Sequence, residues 1–140
     1  MILKEKLQPI IERLKRIREN YALRSRRHLV RAILPVDRSN RTLIDGSPVT
    51  PDHREIDTAT GQQKEYVVLS AKERAKGFVR PVRRSYVHLK CGNITTMGTA
   101  LAETYARDPK FYDGTFCCAC RAHFPLHQFT WYGTTEQVGS

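Results

Sequence analysis

The first 21 residues show apolar positions with helical spacing. Apolar side chains recur there in steps of four and three, which places them on one face of a helix. These positions are Leu3, Leu7, Ile10, Leu14, Ile17 and Tyr21. Pro9 either stands near the start of this helix or kinks one that begins earlier. The apolar face either packs on the protein's own core, the usual arrangement, or docks on another chain.

Basic side chains border this apolar face. In a coiled-coil register the flanking positions hold Lys4, Lys6, Arg13 and Arg18. In a parallel homodimer Arg13 would face Arg18 of its mate, so self-pairing in this register is disfavoured. An intermolecular coiled coil and docking on an acidic partner both stay open as alternatives to packing on the core.

The next segment, residues 24–31, is rich in arginine. It predicts a continuation of the helix, or a second short helix that ends before Pro35. Its arginines are Arg24, Arg26, Arg27 and Arg31. They either track the phosphates of a nucleic acid or form a solvated face.

Short β-patterns separated by turns follow over residues 36–84. Turn dipeptides punctuate residues 35–65, which predicts a hairpin and an irregular loop, and residues 66–69 read as a strand. Ser70 and Glu73 have the spacing of a capping box, which predicts a helix over residues 71–76 with Gly77 at its end. Residues 78–84 are predicted to be extended.

The last third predicts two further strands and a helix. Strands are expected over residues 86–89 and 128–132. Between them, residues 97–107 predict a helix that Thr95 or Thr96 caps and that Asp108 and Pro109 end. The tail over residues 134–140 is expected to fray.

These elements predict an α+β protein with four parts. They are a basic helical arm (1–35), a β-rich irregular segment (36–84), a C-terminal module that holds all four cysteines (85–133) and a tail (134–140). Five aromatic residues are expected to form the small core of the module: Tyr86, Tyr105, Phe116, Phe129 and Trp131.

Charge narrows the classes of partner. The 140 residues include 24 Lys and Arg against 14 Asp and Glu, a formal net charge of +10 that is concentrated in residues 1–35. Such an excess favours a polyanionic partner, nucleic acid before a membrane surface. No apolar run approaches the roughly 18 residues of a membrane span, and the first residues lack the apolar block of a signal peptide. We therefore expect a cytoplasmic protein that does not contact membranes.

All four cysteines lie in the last fifty residues, and their spacing indicates a metal site. His88 and Cys91 form H-x2-C, and 25 residues separate them from C-x2-C at Cys117 and Cys120. Two such turns supply the four ligands of a structural Zn²⁺, so residues 85–133 are predicted to form a zinc-binding module. Three alternatives stay open at this point: inert buried thiols, a disulfide at Cys91, or a redox dithiol.

The ligand set also has alternatives. Cys118 could replace a neighbouring cysteine, and His123 lies three residues after Cys120. His88 could instead be an ordinary strand residue. A closed four-ligand site leaves zinc no position for water, so it would stabilise the fold without performing chemistry. No nucleotide-binding or nucleophile-elbow motif is present either, and we infer no small-molecule substrate and no catalytic residues.

The residues from Tyr86 to Trp131 resemble small uncharacterised zinc-ribbon or treble-clef proteins of bacteriophage type. The resemblance is carried by His88-x2-Cys91-Gly92, Phe116-Cys117-x2-Cys120, His123-Phe124-Pro125 and Phe129-x-Trp131. It covers about a third of the chain. It implies a zinc site at His88, Cys91, Cys117 and Cys120 and a phage or prophage origin, with the bacterial host cytoplasm or the virion as location. It supplies no activity.

The leading hypothesis is a non-enzymatic protein that binds nucleic acid. Its phosphate contacts would come from Arg24, Arg26, Arg27 and Arg31, with help from Arg80, Arg83 and Arg84. The alternative is a protein-interaction, host-enzyme-inhibiting or virion-associated structural protein with an acidic partner. A third is a zinc-dependent nuclease that uses His123.

Overall fold

The computed structural model describes residues 7–20 and 35–140. Its contacts divide the chain into two units, Met1–Leu34 and Pro35–Ser140. The predicted arginine-rich segment, with Arg24, Arg26, Arg27 and Arg31, lies outside the described residues, as do Leu3 and Tyr21.

Helix α1 covers residues 7–20 of the first unit. The helix predicted from the apolar spacing is therefore present in this range. Its apolar side chains are exposed along the described helix rather than buried. They are Leu7, Ile10, Ile11, Leu14 and Ile17.

The second unit begins with a two-stranded antiparallel sheet and a short helix. Strand β1, Arg41–Leu43, pairs with β2, Val67–Leu69, and helix α2, Ala71–Arg74, follows. Residues 44–66 between the strands form a long loop with one antiparallel bridge, between Ile56 and Gln63. The predicted strand and helix are both found, although α2 ends two residues earlier than expected.

Only half of the predicted capping box forms at α2. The Ser70 hydroxyl accepts a hydrogen bond from the Glu73 amide at 3.2 Å, as expected. The Glu73 carboxylate does not return to Ser70, since it accepts the Asp37 amide at 3.0 Å. The Ser70 amide donates instead to the Asn40 carbonyl at 2.9 Å.

Glu73 is part of a buried ionic cluster. Its side chain and that of Arg107 are fully buried, with Arg107 Nη2 3.7 Å from Glu73 Oε1. Lys76 Nζ lies 2.7 Å from Glu73 Oε2. Burial by itself would raise the pKa of the Glu73 carboxyl, but Lys76, the Asp37 amide and Arg107 hold it below its ordinary value. The cluster joins α2 to Arg107, the last residue of the following helix.

A three-stranded antiparallel sheet forms the centre of this unit. Its order is β4 (Ile94–Thr96), β3 (Ser85–His88) and β7 (Phe129–Trp131). Helix α3, Thr99–Arg107, follows β4 with Gly98 at its N-cap. The predicted caps were wrong: Thr95 and Thr96 lie in β4, where they pair with β3, and Gly98 supplies no side-chain cap.

A second hairpin precedes β7. Strand β5, Gly114–Cys117, pairs with β6, Ala122–Pro125, and a 3-10 turn over Leu126–Gln128 leads into β7. The sequence pattern did not predict β4, β5 or β6 as strands. The fold is α+β with small sheets, as predicted.

The core of the unit is aromatic and includes part of the tail. The buried cluster contains Tyr86, Met97, Ala102, Tyr105, Cys117, Phe129, Trp131 and Val138. Phe116, predicted to be in this core, is only partly buried. The expectation that residues 134–140 fray was wrong. Val138 is fully buried and its amide donates to the Phe129 carbonyl at 3.1 Å, because this apolar side chain completes the aromatic core.

Candidate metal centre

Two chain turns bring four potential metal ligands together. His88 ends β3 and Cys91 follows in the next turn, while Cys117 ends β5 and Cys120 lies in the β5–β6 turn. The ligand atoms of these four side chains all lie within 4.8 Å of one another. The group could hold a metal ion. The structure therefore brings together the four residues that the spacing singled out.

Backbone hydrogen bonds shape both turns in the same way. The Gly92 amide donates to the His88 carbonyl at 2.7 Å, and the Arg121 amide donates to the Cys117 carbonyl at 2.8 Å. The residue after the second ligand of each pair has a left-handed backbone, with φ of 75° at Gly92 and 55° at Arg121. The Cys120 amide also donates to Cys117 Sγ at 3.5 Å. Each x2 spacing is thus converted into a loop that turns both of its ligands inward.

Two separations between ligand atoms match the edges of a coordination tetrahedron. Cys91 Sγ and Cys117 Sγ are 3.6 Å apart, and Cys120 Sγ is 3.5 Å from His88 Nδ1. Zinc–ligand bonds of about 2.3 Å to sulfur and about 2.0–2.1 Å to nitrogen give tetrahedral edges of roughly 3.5–3.8 Å. A disulfide requires about 2.05 Å between sulfurs, and all four cysteines are free. The residues present fit one tetrahedral ion.

Three neighbours hold the His88 ring in place. Gln128 Oε1 lies 2.9 Å from Nε2 of His88, so a proton on Nε2 leaves the lone pair of Nδ1 facing Cys120. The ring packs against both Phe124 and Phe129, with centroid distances of 4.6 and 4.7 Å. His88 is 1% exposed. Its orientation is therefore set before any ion arrives.

The local environment perturbs the two exposed thiols of the cluster in opposite directions. Hydrogen bonds from the backbone and side chain of Asn93 lower the pKa of the Cys91 thiol to about 6. Desolvation, followed by the neighbouring thiols of Cys117 and Cys91, raises the pKa of Cys120 to about 11. A metal ion would bind all three sulfurs as thiolates, so binding would release protons.

The alternative ligands point elsewhere. Cys118 donates its thiol hydrogen to the Ile94 carbonyl at 3.3 Å, and its amide donates to Thr95 Oγ1 at 3.0 Å. His123 Nε2 lies 2.8 Å from the Tyr66 hydroxyl. Neither residue belongs to the four-ligand group. Thr95, predicted as a helix cap, instead ties the Cys118 amide to β4.

Gln128 is the site residue that sequence reasoning missed. It precedes β7, whose register sets Phe129 opposite His88, and this pairing carries the Gln128 side chain to the imidazole. A single glutamine before a strand forms no recognisable motif, so the sequence alone does not indicate that it orients a metal ligand. Only the β3–β7 register could have identified it.

The three arginines of the second unit that were predicted to contact phosphates form interactions within the fold. Arg80 Nε donates to the Ser140 carbonyl at 3.2 Å, and Arg84 Nε donates to the Met97 carbonyl at 3.0 Å. Arg83 pairs with Glu136 and lies over the Trp131 ring, its Cζ 4.9 Å from the centroid. A nucleic-acid role for these arginines stays a prediction.

No family model, no curated protein and no solved structure matches the chain. The resemblance to phage zinc-ribbon proteins therefore also stays a prediction. None of the helices that the structure describes has the length and apolar character needed to cross a membrane.

Proposed function

We propose that His88, Cys91, Cys117 and Cys120 bind one structural Zn²⁺, and that the chain is a non-enzymatic binding module for nucleic acid. The observation that carries the metal assignment is the convergence of one imidazole and three thiols within 4.8 Å. Three sulfurs and one nitrogen in a tetrahedron are the ligands typical of structural zinc, whereas hard cations such as Mg²⁺ prefer oxygen.

The site would act as a cross-link between parts of the fold. His88 and Cys91 belong to the end of β3, and Cys117 and Cys120 belong to the β5–β6 hairpin. With all four positions taken by protein, no site for a substrate water is left on the ion. The metal would supply folding energy and hold the hairpin against the sheet.

Elemental analysis of the purified full chain tests the metal assignment. We expect close to one zinc per chain in the wild type and a large loss in Cys117→Ser. The matched control is Cys118→Ser, which removes a cysteine one position away and should keep its zinc. Equal metal contents in the two variants would contradict the assignment.

Charge supports nucleic acid as the partner. Residues 1–35 contain ten Lys and Arg against three Asp and Glu, so most of the net positive charge lies in this arm. Arginines that neutralise phosphates release counterions, and affinity then falls steeply with salt.

Fluorescence anisotropy with labelled single- and double-stranded oligonucleotides, measured across salt concentrations, tests this role. A variant with Arg24, Arg26, Arg27 and Arg31 changed to Ala should lose affinity and reduce the salt slope. The control changes Lys72, Lys90 and Lys110, which are exposed and lie outside the arm, and it should keep most of the affinity. No binding of either oligonucleotide at low salt would overturn the nucleic-acid role.

The exposed apolar face of α1 supports a second candidate function. In it, α1 docks on a partner protein through an amphipathic helix of that partner whose polar side is acidic. Leu14 and Ile17 are 61% and 56% exposed, and Arg13 and Arg18 lie beside them in the sequence. Such an exposed stripe with basic flanks favours an amphipathic acidic partner. Pull-down before and after nuclease treatment separates the two candidates, since only a protein partner survives the nuclease. Leu14→Ser should abolish that capture.

A further inference from the structure

A large cavity lies in the second unit, away from the four metal ligands. It has a volume of about 870 Å³ and is bounded by the β1–β2 region with its long loop on one side and by residues of β3 to β6 on the other. Cavities of roughly 300–1,000 Å³ are the common size for binding small organic molecules. Neither the metal centre nor the arginine-rich arm accounts for it.

Aromatic rings form one part of the cavity wall. Tyr66, Phe116 and His123 all line it and are partly buried. His123 packs against both of the others, with ring centroids 5.8 Å from Tyr66 and 5.3 Å from Phe116. Partly exposed rings of this kind offer stacking surfaces to a planar ligand.

A chain of hydrogen bonds fixes the polar edge of this aromatic group. The Gln63 amide donates to the Tyr66 hydroxyl at 3.3 Å, and that hydroxyl lies 2.8 Å from His123 Nε2. Burial lowers the pKa of His123, which favours the neutral ring. In the tautomer where the Tyr66 hydroxyl donates to Nε2, the proton of the ring lies on Nδ1. Within residues 7–20 and 35–140, Nδ1 of His123 has no hydrogen-bond partner.

Four lysines and arginines line the cavity, and two of them are uncommitted. Arg38 makes two hydrogen bonds to Asp108, at 2.7 and 3.1 Å, and Lys64 pairs with Asp52. Arg41 and Arg54 also line it, and their side chains form no ion pair or hydrogen bond with any residue that the structure describes. Both are exposed, and guanidinium groups suit the bidentate binding of phosphate.

We propose that this cavity binds a nucleotide, with the base against Tyr66, Phe116 and His123 and the phosphate at Arg41 and Arg54. Stacking rings, a ring nitrogen without a partner among the described residues and uncommitted guanidinium groups meet in one cavity, and a nucleotide has groups that suit all three. The nucleotide is either a free one or a residue of a single strand. In the second case the inference deepens the proposed nucleic-acid binding by adding a site outside the arm.

Calorimetric titration of the zinc-replete full chain with adenosine 5′-monophosphate tests the proposal. The double variant Arg41→Ala/Arg54→Ala should weaken binding at least about tenfold, as expected for lost charge-assisted bonds. Its matched control is Lys72→Ala/Lys110→Ala, which removes the same charge from exposed positions outside the cavity lining and should bind like the wild type. Tyr66→Leu should cost roughly tenfold through lost stacking, and Tyr66→Phe should recover most of that loss.

A competition experiment distinguishes a free nucleotide from a nucleotide unit of a single strand. If a short oligothymidylate displaces the mononucleotide, the ligand is a unit of a single strand; if it does not, the ligand is a free nucleotide. The arm variant with its four arginines changed should bind adenosine 5′-monophosphate normally, so failure of the arm and failure of the cavity are distinguishable. Absence of mononucleotide binding, or equal weakening by the two double variants, would overturn the proposal.

Discussion

Replacing one metal ligand should destabilise the second unit much more than replacing the cysteine beside it. Cys120→Ser removes a thiolate from the four-ligand group. Cys118→Ser removes a thiol that only donates to the Ile94 carbonyl, and a serine hydroxyl can make the same bond. The two variants change the same atom type within one turn, so their difference isolates the metal.

The magnitude follows from the loop that the metal closes. Cys91 and Cys117 are 26 residues apart in sequence. A cross-link that closes a loop of this length lowers the entropy of the unfolded chain, and this stabilises the folded state by about 3.5 kcal/mol. A domain of this size is stable by only about 5–15 kcal/mol, so the metal accounts for a substantial fraction. Losing it should lower Tm by about 10–15 °C.

Thermal unfolding followed by the fluorescence of Trp131 is a suitable assay. This residue is the only tryptophan, and it is 3% exposed within the aromatic core. We expect Cys118→Ser to unfold within about 2 °C of the wild type. Cys120→Ser should unfold near the temperature of the wild type treated with a chelator, and the chelator should have little further effect on it. Equal transitions for the two serine variants, or a wild type insensitive to the chelator, would refute the reasoning.

Three further predictions concern the surroundings of the site and the core. Gln128→Ala should lower zinc affinity roughly tenfold or more in a chelator competition, because the His88 ring loses its partner; unchanged affinity would show that the stacked rings suffice. Glu73→Gln should destabilise the fold by about 1.5–3 kcal/mol in urea unfolding at pH 7, because Lys76 and Arg107 both lose their charged contact with this carboxylate. Despite its burial, Glu73 has a pKa held below the ordinary value by its cationic partners, so its contribution is present above about pH 4 and is lost as pH falls further. The penalty of Glu73→Gln should therefore shrink below about pH 4, and a penalty independent of pH would contradict this. Val138→Ala should cost about 2 kcal/mol, whereas a fraying tail would show no change.

The ligand candidates were predictable because each pair is local. An x2 spacing places two ligands in one turn, and the sequence shows this directly for His88 with Cys91 and for Cys117 with Cys120. The choice among Cys117, Cys118 and Cys120 depended on how the β5–β6 turn is oriented. That orientation comes from bonds to β4, which no local pattern reveals.

Elements held by distant contacts were missed or misread. Thr95 and Thr96 have the chemistry of helix caps, but their pairing with β3 makes them part of a strand. Val138 is a single apolar residue in a polar tail, and its burial is explained only by the aromatic core against which it packs. The Ser70 cap formed because it is local, whereas the Glu73 half was lost to the distant Asp37 amide.

X-ray absorption at the zinc edge of the purified full chain tests the central claim most directly. We predict one zinc with about three sulfur neighbours at roughly 2.3 Å and one nitrogen neighbour at roughly 2.0–2.1 Å. A purified protein that contains no zinc and unfolds at the same temperature with and without added zinc, or a zinc ion surrounded mainly by oxygen, would contradict the account.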